Sequence, residues 1–222
     1  MGKLMVIDGL DGCGKSTQLD LLDAALRQRG VNYRQISFPD YDQPSSALVK
    51  MYLNGDLGGS AAAVNAYAAS SFYAVDRYAS YSRFWQKDYL DNTPIIAARY
   101  VTSNAIHQMT KLDRTEWDSY LEWLSDYEYN KLGLPCPDCV VFLDMPIEVS
   151  QKLLQQRYHG DNSQKDIHER DVSYLYACRK AALYAAERQG WHVIACSDGE
   201  APLPMQAIHE QLLALFEGMN GE

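Results

Sequence analysis

The segment Gly9-Leu10-Asp11-Gly12-Cys13-Gly14-Lys15-Ser16 satisfies the pattern GxxxxGK[ST], and the chemistry of that spacing is phosphate capture. Glycines let the backbone wrap a phosphate with its N–H groups, and the start of a helix adds positive potential. Lys15 can bridge the outer phosphates and the Ser16 hydroxyl can ligate magnesium. Residues 9–17, closed by Thr17, are thus a nucleotide-binding loop. A guanine-reading NKxD does not accompany it: Asn130-Lys131-Leu132-Gly133 lacks the Asp. A motor or transporter ATPase would bring more chain, so the size favours a nucleotide or nucleoside kinase.

The loop works only if a strand precedes it and a helix follows. Leu4-Met5-Val6-Ile7-Asp8 is a short apolar run, and 15–29 repeats Leu at 19, 22 and 26 before Gly30. Further β-like runs at 33–37, 94–98, 139–144 and 191–195 alternate with helical patterns at about 61–91, 115–131, 147–157, 167–189 and 203–216. Strands alternating with helices predict a parallel sheet covered on both faces. Repeats and linkers are missing, so 1–222 reads as one domain, and the polar connection 158–165 is a candidate lid.

The 222 residues carry 20 Lys and Arg against 29 Asp and Glu, a formal charge of -9. That field repels nucleic acid and anionic membranes, so an anionic ligand must be captured locally. Apolar runs fall short of the roughly 18 residues a bilayer span needs, and the first residues lack signal-peptide order. The expectation is a cytoplasmic protein. Five cysteines at 13, 136, 139, 178 and 196 make a poor disulfide framework. Cys136-Pro137-Asp138-Cys139 has metal spacing but no second pair.

In order along the chain, GLDGCGKSTQ, Phe38-Pro39-Asp40-Tyr41, Tyr73-Ala74-Val75-Asp76-Arg77, Arg99-Tyr100-Val101-Thr102-Ser103-Asn104-Ala105, Pro137-Asp138 before Val140-Val141-Phe142-Leu143-Asp144, and Lys165-Asp166-Ile167-His168-Glu169 resemble the thymidylate kinase family. The resemblance implies a five-stranded parallel sheet flanked by helices, the three-layer P-loop NTPase sandwich. It also implies an acceptor region at about 38–108 and a lid at about 157–169. ATP, Mg2+ and a deoxynucleoside monophosphate are the implied ligands, and a homodimer through helices of the kind at 61–91 the implied assembly.

By the same resemblance, Gly9, Asp11, Gly12, Cys13, Gly14, Lys15, Ser16 and Thr17 hold the ATP phosphates, with Ser16 and Asp11 at the metal. Asp11 also meets the acceptor sugar; the competing assignment is a loop-stabilising Asp. Tyr41 belongs to the acceptor region. Tyr73 stacks on the base, although sixteen tyrosines make simple packing a serious competitor. Arg77 reads the pyrimidine carbonyl edge, unless it pairs at the surface with Asp76 or Asp88. Arg99 clamps the acceptor phosphate, where a planar guanidinium suits two oxygens. Asn104 and Gln108 line the base edge, and His107 falls near the sugar. Lys15, Arg99, Arg157 and Lys165 are the catalytic cations.

Two positions depart from the family pattern. The acid expected before the signature Arg is Ala98, with Asp11, Asp40 or Glu169 left to compensate. Some members carry an Arg where this chain has Gly12, and this chain instead follows those with lid cations. The reading is phosphoryl transfer from ATP to dTMP. The alternatives are a relative with another deoxynucleotide or nucleoside acceptor, and a nucleotide-binding relative that no longer catalyses.

Overall fold

The computed structural model describes residues 1–58, 63–157 and 172–221. Five strands, β1 (Leu4–Gly9), β2 (Arg34–Ser37), β3 (Ile95–Ala98), β4 (Cys139–Asp144) and β5 (His192–Ala195), form one sheet in the order β2-β3-β1-β4-β5. The pairs β1–β4, β2–β3 and β4–β5 are parallel. Burial follows position in the sheet. Every residue of β1 and β3 is buried, as expected of a parallel strand with helices over both faces. Edge strands β2 and β5 keep exposed positions.

Nine α-helices are seen among the described residues: α1 (Lys15–Gln28), α2 (Ala47–Leu53), α3 (Ala66–Ser80), α4 (Gln86–Leu90), α5 (Val101–Gln108), α6 (Trp117–Ser125), α7 (Ile147–Arg157), α8 (Val172–Gln189) and α9 (Met205–Asn220). The five predicted strands match the observed ones to within a residue. The helix expected over 61–91 is instead α3, a π-helical turn over Tyr81–Trp85, and α4. It starts at Ala66 because Asn65 caps it, the Asn65 Oδ1 accepting from Ala68 N at 2.9 Å. Likewise the pattern at 115–131 is α6 followed by a π-helical turn over Asp126–Lys131. Helices α2 and α5 are additions to the sequence reading. Both are short, and α5 (VTSNAIHQ) contains weak helix formers.

Contacts gather the chain into two compact units, Met1–Leu4 with Tyr33–Pro137, and Met5–Asn32 with Asp138–Glu222. In the second, α1 packs on α9, the Gln18 amide donates to Met205 O at 3.0 Å, and Arg29 pairs with Glu217. In the first, α3 packs on α2 and α5. No helix of the described residues is long and apolar enough to cross a membrane.

Candidate active site

In the second unit, β1 ends at Gly9 and α1 begins at Lys15, so the loop between them lies at the C-terminal edge of a parallel strand, where ligands of such sheets bind. Gly14 precedes α1 with φ 88°, and among the described residues no side chain caps that helix and no acid occupies its first turn. Its first N–H groups are therefore open to an anion. Gly12 has φ +78°, and a Cβ there would stand 3.0 Å from both Leu154 Cγ and Ser150 O. Lys15 Nζ donates to Gly9 O at 3.0 Å, which holds the ammonium over the loop. Gly12, Cys13, Gly14, Ser16 and Thr17 line a cavity of about 640 Å³ whose lining also includes Met145, Leu154, Leu203 and Met205. A polar phosphate end and an apolar wall suit a nucleotide.

The end of β4 adds a pair that the sequence reading did not pick out. Arg179, on α8, donates from Nε and an Nη to the two Asp144 oxygens at 2.6 and 2.8 Å. Asp144 directly follows Leu143, which sits opposite Gly9 in the sheet.

In the first unit, Arg99 follows β3 immediately and adopts φ 63°, a region unfavourable for a side chain with a Cβ and one that clusters at functional sites. Its Nη1 lies 3.3 Å from His107 Nε2. A guanidinium can only donate, so the imidazole accepts there and is neutral at Nε2. Tyr73, on α3, is half-buried and meets Tyr52 edge to face at 6.2 Å. Burial pushes its hydroxyl above the ordinary phenol range, Tyr52 and Tyr41 add to that, and Arg99 and Arg77 oppose it. The expected acceptor residues Tyr41, Tyr73, Arg77 and Arg99 thus share one neighbourhood.

Arg77 does not form the surface pair that competed with its expected role. It is 1% exposed, and its Nε and Nη2 donate to Glu128 Oε2 and Oε1 at 2.6 and 2.5 Å. Nη1 donates to Tyr100 O at 3.2 Å. Burial alone would pull the guanidinium pKa down; the Glu128 carboxylate more than offsets this and raises it. Asp76 instead accepts from Asp40 N at 3.0 Å and from the Ser45 hydroxyl at 2.6 Å, tying the 38–46 loop to α3, while Asp88 pairs with Arg34. Asn104 is buried on α5 and donates to Glu128 Oε1 at 3.0 Å and Ser70 O at 3.3 Å. Gln108 is buried beyond it, with Oε1 unpartnered among the described residues. Ala98 is buried and its carbonyl accepts from Phe38 N at 3.0 Å.

A family model described as thymidylate kinase matches residues 7–209. The chain belongs to the thymidylate kinase family. It is 31% identical over 191 residues to the thymidylate kinase of Mycobacterium tuberculosis strain CDC 1551 / Oshkosh, covering 85% of this chain and 87% of that one. It is 27% identical to the probable thymidylate kinase of Thermococcus kodakarensis, over 98% of each. The solved thymidylate kinase of Candida albicans has the same fold, with a TM-score of 0.71 at 20% identity over 99% of this chain and 92% of that one. As a thymidylate kinase family member the chain is a nucleoside monophosphate kinase.

Of the expected catalytic cations, Lys15 and Arg99 are placed as above. Arg157 closes α7, with its side chain outside the described residues, as are Lys165 and the expected lid beyond 157. The sequence reading missed Glu128 and Arg179, and it gave Asp76 and Asp144, which stand inside the quoted motifs, no role in tying the site together. Neither Glu128 nor Arg179 has a motif of its own, and only the partner across the fold reveals each.

Proposed function

We propose that the protein transfers the γ-phosphoryl group of ATP to the 5′-phosphate of dTMP, giving dTDP and ADP, with 1–222 working as one kinase domain. The observation that carries the reading is the match to the thymidylate kinase family over residues 7–209 in a chain whose phosphate loop opens onto an uncapped helix start, with Tyr41, Arg99 and Arg77 within electrostatic reach of Tyr73. Tyr73 supplies the stacking face, worth about 1–3 kcal/mol per base. Arg77, Asn104 and Gln108 supply the base edge, and Arg99 the acceptor-phosphate clamp, its guanidinium oriented by His107 at 3.3 Å. Asp11 and Tyr41 border the acceptor.

Lys15 leaves Gly9 O for the β- and γ-phosphate oxygens, and the N–H groups of the 9–17 loop surround them. Ser16 and Asp11 offer the hydroxyl and carboxylate oxygens that magnesium takes. When bound, magnesium neutralises charge on the outer phosphates. An ionised acceptor oxygen attacks the γ-phosphorus as the bond to the bridging oxygen breaks and ADP departs. The second ionisation of a phosphate monoester lies near pH ~6, so no general base is required and Ala98 leaves the reaction intact. Arg157 and Lys165 are the lid cations of this reading. A homodimer and a cytoplasmic location complete it.

The test is ADP release with magnesium and ATP across dTMP, dUMP, dCMP, dAMP, dGMP and thymidine. The highest kcat/KM is expected for dTMP and no turnover for thymidine. Preference for a purine monophosphate overturns the acceptor assignment, and ATP binding without any turnover overturns catalysis.

A further inference from the structure

Glu128 is fully buried and stands at the centre of the groups assigned to the base edge. It lies in the π-helical turn after α6, a kind of turn frequent at functional sites. Its backbone carbonyl is fixed by Leu134 N at 3.1 Å. One carboxylate oxygen, Oε1, accepts from both Arg77 Nη2 at 2.5 Å and Asn104 Nδ2 at 3.0 Å. Because a carboxylate only accepts, Asn104 must turn its nitrogen toward Glu128. The second hydrogen of that nitrogen goes to Ser70 O. With both hydrogens committed, the atom Asn104 has left to offer is its acceptor, Oδ1. Among the described residues, Arg77 commits three of its five hydrogens, to Glu128 and to Tyr100 O, and keeps one donor on each terminal nitrogen.

We infer that Glu128 is a positioning residue for acceptor specificity: by holding Arg77 and Asn104 together it fixes an edge of one donor beside one acceptor, which selects a keto, N–H pyrimidine over an amino pyrimidine. Thymine and uracil present an acceptor oxygen at C4 and an N3–H donor, the complement of that edge. Cytosine presents a donor amine and an acceptor nitrogen, reversed at both positions. Asn104 could serve cytosine by flipping its amide, but the flip would face its oxygen against the Glu128 carboxylate. Sites that leave a buried polar group unpaired reject the wrong ligand strongly. The inference rests on the proposed dTMP reaction and adds to it the residue that sets the polarity of the edge.

The experiment compares wild type, Glu128→Asp and Glu128→Gln in ADP release with dTMP and dCMP, with KM for ATP as a check on the donor half. Glu128→Asp keeps the buried charge but loses one methylene of reach, so its carboxylate cannot hold both partners. Glu128→Gln must turn an N–H toward a donor. The expected result is a dTMP KM raised about tenfold or more, kcat changed less than about threefold, and a dTMP-to-dCMP ratio of kcat/KM lowered about tenfold or more. KM for ATP stays unchanged. If Glu128→Gln does not fold, Glu128→Asp carries the test. A folded Glu128→Asp protein with wild-type KM and wild-type discrimination overturns the positioning role alone. A wild type that uses dTMP no better than dCMP overturns the dTMP reading and this inference with it.

Discussion

Arg77 and Glu128, 51 residues apart in the chain, are joined by two hydrogen bonds of 2.6 and 2.5 Å, with side chains 2% and 0% exposed. Two charges withdrawn from water are tolerable only as a pair. Removing one leaves the other uncompensated, at a cost of about 3–5 kcal/mol, whereas replacing both by apolar groups is often close to neutral. Arg77→Met and Glu128→Leu, each alone, are expected to lower stability by that amount in denaturant unfolding, and the double variant to recover most of it. Single losses that simply add in the double variant would show that the pair is not coupled.

A side chain is strained at the second glycine of the phosphate loop. At Gly12 the positive φ and the 3.0 Å approaches to Leu154 and Ser150 act together. Gly12→Arg, which reproduces the loop arginine of other family members, is expected to lose about 1–3 kcal/mol of stability and to gain no turnover. Thermal unfolding and ADP release measure the two effects. A variant as stable as wild type and more active would refute both.

Lys111 is a source of alkaline pH dependence. Its ammonium donates to the Tyr52 hydroxyl and to Val64 O, both at 2.9 Å, and partial burial pulls its pKa down to about 8. The unfolded chain then holds more protons than the native one between about pH 8 and the ordinary lysine value near 10.4. Stability contributed at this site therefore rises with pH across that window. Urea unfolding at several pH values should show wild type gaining on Lys111→Met above pH 8. A pH-independent difference between the two would place the ammonium in water.

Thiol chemistry should be confined to one position. No disulfide joins the five cysteines, and Cys136 alone among them is exposed. Burial pushes Cys139 up to about 11 and Cys196 up to about 12, which keeps both as unreactive thiols at neutral pH. Native protein at pH 7.5 is expected to take up about one equivalent of N-ethylmaleimide, and Cys136→Ser to take up none. Rapid labelling of a second cysteine would contradict the burial.

The sequence by itself determined the sheet, the phosphate loop and the family. Those features rest on local rules: continuous apolar runs make buried parallel strands, and glycines at 9, 12 and 14 followed by Lys15 and Ser16 make an anion site wherever a strand meets a helix. The breaks in the helices were less legible, because a π-helical turn keeps the apolar periodicity nearly intact. The 126–131 turn, which carries Glu128, read as ordinary helix. The tertiary structure alone decided the partners of the charges. Arg77 had two acidic candidates close in sequence, Asp76 and Asp88, and pairs with neither: Asp76 ties the 38–46 loop, Asp88 takes Arg34, and Glu128 arrives from beyond α6. Pairing of buried charges depends on which side chains share a dry space, and that is a property of packing between distant segments, not of spacing along the chain.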